Sequence, residues 1–212
     1  MRKLILLSFL VVLLSLAISI YLYPSMPDKI ISHWNAQGEV NGYMPKFIGL
    51  FLLPIISILL LLLFLALPYL DPLKKNILKF RAYYDGFILI FVLFFFYIYL
   101  LTILATLGFK FNMNPMIIPA LAILFFYLGI LVENTKRNWF IGIRTPWTLS
   151  SDKIWDKTHK FGGKLFKIGA LVSLIGIFFK DLGFLFVLVP IFLISIYLIV
   201  YSYLEFRKSK TK

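Results

Sequence analysis

Residues 47–70 read FIGLFLLPIISILLLLLFLALPYL, a stretch without a charged side chain. A helix needs about 20 mainly apolar residues to cross the roughly 30 Å hydrocarbon core of a bilayer, so this stretch is predicted to be a transmembrane helix. The whole chain has the same character, because 61% of its 212 residues are hydrophobic and 15% are charged. Soluble domains are about 45–50% apolar and about 25% charged. We therefore expect an integral membrane protein.

Further apolar runs of similar length bring the predicted number of spans to six. They cover residues 4–23, 47–70, 87–107, 116–132, 163–179 and 184–204. The expected fold class is an all-α polytopic membrane protein, a six-helix bundle with an outer loop after the first span and an interfacial cytoplasmic loop before the fifth. The spans contain no Asp, Glu, Arg or His, and Lys167 near the end of the fifth can snorkel to the interface. This composition argues against ion pumps, proton-coupled transporters and intramembrane hydrolases.

The uneven distribution of basic residues predicts the orientation. With six spans, both termini lie on one side of the membrane. That side receives 18 of the 22 Lys and Arg residues, from the N-terminus, residues 71–86, residues 133–167 and the C-terminal tail. Basic residues concentrate in cytoplasmic loops. We therefore expect a multi-pass protein of the cell membrane with both termini cytoplasmic, and no direct binding of nucleic acid despite the formal net charge of +13.

The residues that usually carry catalysis or metal binding are sparse. The chain has no cysteine, which excludes disulfides, zinc–thiolate sites and thiol catalysis. His33 and His159 are expected on opposite sides of the bilayer and cannot share a metal ion. Asp28 and Glu39 accompany His33 without a recognised metal spacing. We predict no metal, no cofactor and no enzymatic activity. An enzyme with His159 as base and Arg144 as anion binder is the last of the functional hypotheses, since neither residue has a nucleophile or metal partner.

The HWN segment, residues 30–46, reads IISHWNAQGEVNGYMPK and belongs to the longest loop predicted on the outer side. Pro27 and Asp28, just before it, are expected to start a short helix. Asn35 and Gly38 are typical turn residues. We expect a compact lid that rests on the membrane surface.

The basic loop, residues 133–164, contains three of the four tryptophans among Lys and Arg residues. This mixture is typical of a segment at the lipid headgroup interface. Ser150 and Ser151 are candidate N-caps for a helix that begins in the loop. The guanidinium of Arg144 suits a carboxylate or phosphate, and it equally suits backbone carbonyls of the folded loop; the sequence leaves both interpretations open.

Glycines mark the end of the basic loop and the fifth span. Gly162 and Gly163 are expected to bend the chain into that span, which would then start near Gly162. Gly162, Gly169, Gly176 and Gly183 recur every seven residues. A small-residue face of this kind lets another helix approach closely, and we expect that helix inside the same bundle rather than in a dimer.

Two strings carry a family resemblance. Residues 137–164, RNWFIGIRTPWTLSSDKIWDKTHKFGGK, resemble the signature of the SdpI family of bacterial immunity proteins. The HWN segment resembles the H-W-N-x-x-G-x-x-x-x-Y-x-x-K signature of a domain of unknown function that is often fused before it. The resemblance implies two units: an N-terminal two-helix unit with the HWN loop, residues 1–70, and a four-helix SdpI-like unit, residues 71–212, with the cytoplasmic loop 133–164.

The resemblance also implies a function, namely protection of the cell from a hydrophobic, membrane-active toxic peptide. In this interpretation, peptide at the outer side leads the cytoplasmic surface to dock a soluble transcriptional regulator. The sequence leaves open whether the chain forms a homo-oligomer. The alternative is a channel or carrier for a small solute without ion coupling.

The matching positions supply the candidate site residues. Those implied to bind the regulator are Asn138, Gly142, Arg144, Thr145, Trp147, Thr148, Trp155, Thr158 and His159. Those implied to sense the ligand are His33, Trp34, Asn35, Gly38, Tyr43 and Lys46.

Overall fold

The computed structural model describes residues 2–179 and 182–210, so Lys180 and Lys212 among the basic residues lie outside it. In chain order, the elements are α1 (Arg2–Leu22), β1 (Lys29–Trp34), β2 (Val40–Pro45), α2 (Lys46–Leu70), α3 (Lys74–Lys79), α4 (Arg81–Thr106), α5 (Met113–Asn134), α6 (Pro146–Ser150), α7 (Asp152–Ser173), a 3-10 helix (Leu174–Phe178) that continues α7, and α8 (Leu185–Lys210). Six of the helices are long and apolar enough to cross a membrane. The predicted all-α polytopic membrane fold is confirmed, with one small hairpin added.

The long helices alternate in direction, so the bundle has two ends. The hairpin end contains β1 and β2, the connection between α4 and α5, and the segment before α8. The basic end contains α3, α6, the basic loop and the last turns of α8. Helix α1 packs on both α2 and α4, and α5 packs extensively on α7. The division into units at residues 70 and 71 stays a prediction.

The start of the fifth span differs from the prediction. Helix α7 begins at Asp152, where the Ser151 hydroxyl accepts a hydrogen bond from the Ile154 N–H. It continues through Gly162 and Gly163 without interruption, so the predicted start of the span near Gly162 is wrong. Both glycines serve close packing instead: a Cβ on Gly163 would stand 2.6 Å from the carbonyl oxygen of Gly129 on α5. Small residues permit this approach of two helix backbones.

The seven-residue glycine repeat lies inside the bundle, as predicted. A Cβ on Gly162 would meet Leu198 of α8, and one on Gly169 would meet Ile194 of the same helix. Gly176 and Gly183 lie against each other where the chain turns between α7 and α8. The repeat therefore packs α7 and the turn after it against α8.

Charged side chains occur in the terminal turns of the spans, because the helices extend beyond the apolar runs. Each described acidic residue there has a basic partner: Arg81 with Asp85, Lys167 with Glu133, Arg137 with Asp152, Lys136 with Asp156, and Lys157 with Glu205. The sequence predicts snorkelling for Lys167, whereas the structure pairs it with Glu133 of α5. Pairing reduces the cost of removing these charges from water.

The loop between α1 and α2 forms a β-hairpin, and the predicted short helix after Pro27 is wrong. Strands β1 and β2 pair antiparallel, with Ile30 opposite Met44. Ile30 and Ile31 are buried against the bundle, and β-branched residues favour extended backbone. The turn closes because Asn35 accepts a side-chain hydrogen bond from the Glu39 N–H at 2.9 Å. A hairpin thus covers the ends of α2 and α4.

Candidate functional site

The hairpin end contains a cavity of about 450 Å³. It lies between the hairpin, the adjoining ends of α4 and α5, and the segment before α8. Its lining combines polar and apolar side chains without a formal charge: Ser32, His33, Trp34, Asn35, Ala36, Ile98, Met113, Asn114, Ile117 and Phe184. Such a lining suits an uncharged or amphipathic ligand.

The start of α5 holds the hairpin in place. Asn112 donates from its side-chain amide to the Gln37 carbonyl at 2.6 Å, and Asn114 donates to the Ala36 carbonyl at 2.8 Å. Gly38 adopts φ +77°, and a Cβ there would overlap the Asn112 side chain. Glycine is therefore required at this turn. The two asparagines were not identified from the sequence, although Asn112 caps α5 and asparagine is a common N-cap.

The predicted sensing residues divide into two groups. His33, Trp34 and Asn35 line the cavity. Gly38 forms the turn and is buried, while Tyr43 is 61% exposed and does not line the cavity. Lys46 lies 3.5 Å from the carboxylate of Asp28 at the start of α2. The structure thus brings three of the six residues to one cavity, and the other three shape or flank the hairpin.

At the basic end, His159 joins α7 to the basic loop. Its Nδ1 donates to the Trp155 carbonyl at 2.8 Å, and its Nε2 accepts from the Ile143 N–H at 2.8 Å. These two bonds require the neutral imidazole with its proton on Nδ1. The ring is fully buried and stacks on Trp155 at 3.9 Å between centroids. His159 is therefore a structural partner of the loop backbone.

Asn138 organises the other half of the loop. Its side-chain oxygen accepts from the N–H groups of Phe140 and Ile141, and its amide nitrogen donates to the carbonyls of Lys136 and Ile141. The side chain is fully buried. One amide thus satisfies four backbone groups in a segment that has no helix or strand partner.

The threonines of the motif build the short helix α6. Thr145 and Thr148 form a reciprocal capping box, with Pro146 at the first helical position. The Thr145 hydroxyl also lies 3.0 Å from that of Ser202, which fixes α6 against α8. Thr158 is buried as well. Ser202 was not predicted, because its partner is distant in sequence.

Arg144 and Trp147 are predicted residues that reach the surface, together with Trp139, which was not predicted. Arg144 is exposed and donates through one terminal nitrogen to the Trp139 carbonyl at 2.8 Å. This contact agrees with the interpretation in which Arg144 satisfies the loop backbone. Trp147 is half-buried against Tyr203 of α8. Trp139 is 51% exposed. Gly142 adopts φ +118° beneath the His159 ring.

Asp71 connects the end of α2 to the basic loop. This residue was not predicted from the sequence. One carboxylate oxygen accepts from the Leu73 N–H at 2.6 Å, and the other accepts from the Trp139 N–H at 2.8 Å. Asn76 adds a hydrogen bond to the Arg137 carbonyl at 2.9 Å. In the sequence, the Asp71–Pro72 pair is typical of a turn. That pair does not reveal that Asp71 contacts Trp139, which is far away in the sequence.

Across residues 2–179 and 182–210, no group of three His, Asp or Glu side chains is placed to hold a metal ion. His33 and His159 lie at opposite ends of the bundle.

Comparison with known proteins gives matches over both motifs. Residues 134–202 match the model described as the SdpI/YfhL protein family, and residues 10–58 match a domain of unknown function, DUF1648. A curated relative, Immunity protein SdpI of Bacillus subtilis (strain 168), is 26% identical over 202 residues, which is 95% of each chain. No solved structure matches the chain significantly.

The packing of Gly142 against His159 yields a matched pair of variants. Gly142→Ala is expected to destabilise the basic loop by about 2 kcal/mol or more, because it adds backbone strain and a methyl group against Nε2. Gly108→Ala also places alanine at a positive φ, but nothing lies within 4 Å of its Cβ, so it is expected to cost about 1 kcal/mol. Hydrogen exchange of residues 137–150 measures the difference. Equal exchange in both variants would contradict the His159 contact.

Proposed function

Because this chain belongs to the SdpI family, we propose that it is an immunity protein that protects its cell from a membrane-active toxic peptide. The observation that carries the proposal is the similarity to Immunity protein SdpI over 95% of both chains. The six apolar helices support it, since a protector against such a peptide would act in the bilayer. We propose that the protein acts by binding the peptide, without catalysis.

The proposed orientation places the basic end in the cytoplasm and the hairpin end outside. It rests on the 18 of 22 basic residues that the sequence assigns to the basic end and its flanking segments. The peptide would then meet the hairpin end first.

The cavity at the hairpin end is the proposed site of peptide recognition. Its volume of about 450 Å³ accommodates a few side chains. Trp34 and Phe184 offer apolar surface, while His33 offers its Nε2, since its Nδ1 lies 2.6 Å from the side-chain oxygen of Asn41. A membrane-active peptide presents both kinds of group, and this mixed lining supports the assignment.

The basic loop is the proposed docking surface for a soluble transcriptional regulator. Most of its motif residues are buried in the loop itself, so contact would fall to the exposed ones. These are Trp139, Phe140 and Arg144, with Trp147 beside them. Tryptophan and arginine are common among the residues that dominate the energy of protein interfaces.

A continuous element connects the two proposed sites. Helix α2 begins at Lys46, directly after β2, and ends at Leu70, directly before Asp71. Asp71 accepts the hydrogen bond from the Trp139 N–H in the basic loop. Peptide binding that shifts the hairpin relative to α5 would therefore move α2 and this contact, provided that the peptide favours one of two arrangements.

The proposed orientation can be tested directly, because the natural chain contains no cysteine. Gln37→Cys at the hairpin turn and Lys153→Cys at the start of α7 are both exposed and introduce one thiol each. In intact cells, a membrane-impermeant maleimide is expected to label the Gln37→Cys variant. It is expected to label the Lys153→Cys variant only after the cells are permeabilised. The reverse pattern would contradict the orientation.

Immunity is tested by the growth of cells that express the chain, challenged with purified membrane-active peptides. Trp34→Ala is expected to reduce the tolerated peptide concentration about tenfold or more, since it removes a large apolar contact from the cavity. Tyr43→Ala is the control, because Tyr43 lies on the same hairpin outside the cavity. If the wild-type chain protects against no peptide at a verified membrane level, immunity is contradicted, and solute flux in vesicles would test the carrier alternative.

Regulator docking is tested by in-cell photocrosslinking from position 140, beside the exposed Arg144. Arg144→Ala is expected to abolish capture of a soluble regulator while hydrogen exchange of the loop changes little, because Arg144 makes one hydrogen bond and is exposed. Lys74→Ala, which removes an exposed cation on α3 at the same end and outside the basic loop, should leave capture unchanged. Undiminished capture by Arg144→Ala would overturn its role as a contact residue.

A further inference from the structure

A second groove lies at the basic end of the bundle. None of its lining residues belongs to the HWN segment or the basic loop. It has a volume of about 550 Å³ and lies between α1, α2, α3 and α4. Its walls are mainly apolar and include Leu6, Leu65 and Leu78, and the ion pair of Arg81 and Asp85 also lines it. Leu6 is 60% exposed and Leu78 is 64% exposed, so the protein itself leaves this groove uncovered.

Arg81 provides a polar group in this apolar groove. Its Nε lies 2.6 Å from Asp85, and its guanidinium lies over the Tyr84 ring at 5.8 Å. Among the described residues, none accepts a hydrogen bond from its two terminal nitrogens. Arg81 is thus held in position by Asp85 while its terminal N–H groups stay available, and this fork matches a phosphate.

Two exposed lysines lie one helical turn from residues that line the groove. Lys75 precedes Leu78 by one turn on α3, and Lys3 precedes Leu6 by one turn on α1. Residues three apart share a helix face, so both lysines lie close to the groove without lining it. The groove therefore has mainly apolar walls and basic side chains beside it.

We propose that this groove binds an anionic phospholipid from the leaflet at the basic end. One acyl chain lies along Leu6 and Leu65, and the phosphate contacts Arg81 with Lys3 and Lys75 nearby. The exposed apolar walls favour an amphipathic occupant, and Arg81 in the groove with the two lysines beside it favours an anionic head. A soluble anion would leave the walls uncovered, whereas a zwitterionic lipid would leave the lysines without complementary charge. This site is independent of the proposed immunity role.

The test uses the full-length protein released from detergent and analysed by native mass spectrometry. Phosphatidylglycerol and phosphatidylcholine of equal chain length are the probes. The wild-type protein is expected to retain phosphatidylglycerol with a preference of roughly tenfold or more, because each lysine near an anionic headgroup strengthens binding. Lys3→Gln combined with Lys75→Gln should remove most of that preference.

The control is Lys153→Gln combined with Lys160→Gln, which removes the same charge from exposed positions on α7. It should retain the wild-type preference. Arg81→Lys keeps a positive charge beside Asp85 and loses the fork, so an intermediate preference is expected. Equal retention of the two lipids, an equal effect of the control pair, or competition by glycerol phosphate without acyl chains would each overturn the proposal.

Discussion

The basic loop depends on one constraint, namely that backbone N–H and C=O groups removed from water need partners. Residues 135–145 have no helix or strand to supply them. Asn138, His159 and Asp71 supply them from side chains, and each is at most 2% exposed. An unpaired backbone group in such a position costs about 1–3 kcal/mol. The signature that resembles the family motif is, in this light, largely a set of backbone partners.

The same constraint explains why glycine and tryptophan accompany the histidine. The His159 ring must approach the loop closely to accept from the Ile143 N–H, and Gly142 leaves that space open. Trp155 stacks on the other side of the ring and donates its indole N–H to the Thr135 carbonyl at 3.2 Å. The ring is thereby fixed between α7 and the loop, so it has no freedom to act as a base for a substrate.

The spans were predictable because long apolar runs have few alternatives to membrane helices. The start of α7 was not, since its first turns carry Asp152, Asp156 and several lysines and lack the hydropathy of a span. The ion pairs were equally hidden: Lys157 and Glu205 are 48 positions apart and meet through packing of α7 on α8. The hairpin was missed because its strands have six residues each, too short for a decisive periodicity.

The two candidate sites therefore differ in kind. The hairpin end has a cavity with unfilled volume, and three residues of its motif line that cavity. The basic loop is filled by its own motif, with Asn138, Thr148 and His159 buried. A ligand can enter the cavity at the hairpin end, whereas a partner that binds the basic loop can contact only its exposed side chains. Substitutions in the basic loop must then fall into two classes: those at buried positions alter the loop's shape and stability, and those at Trp139 or Arg144 alter contact while the loop stays folded.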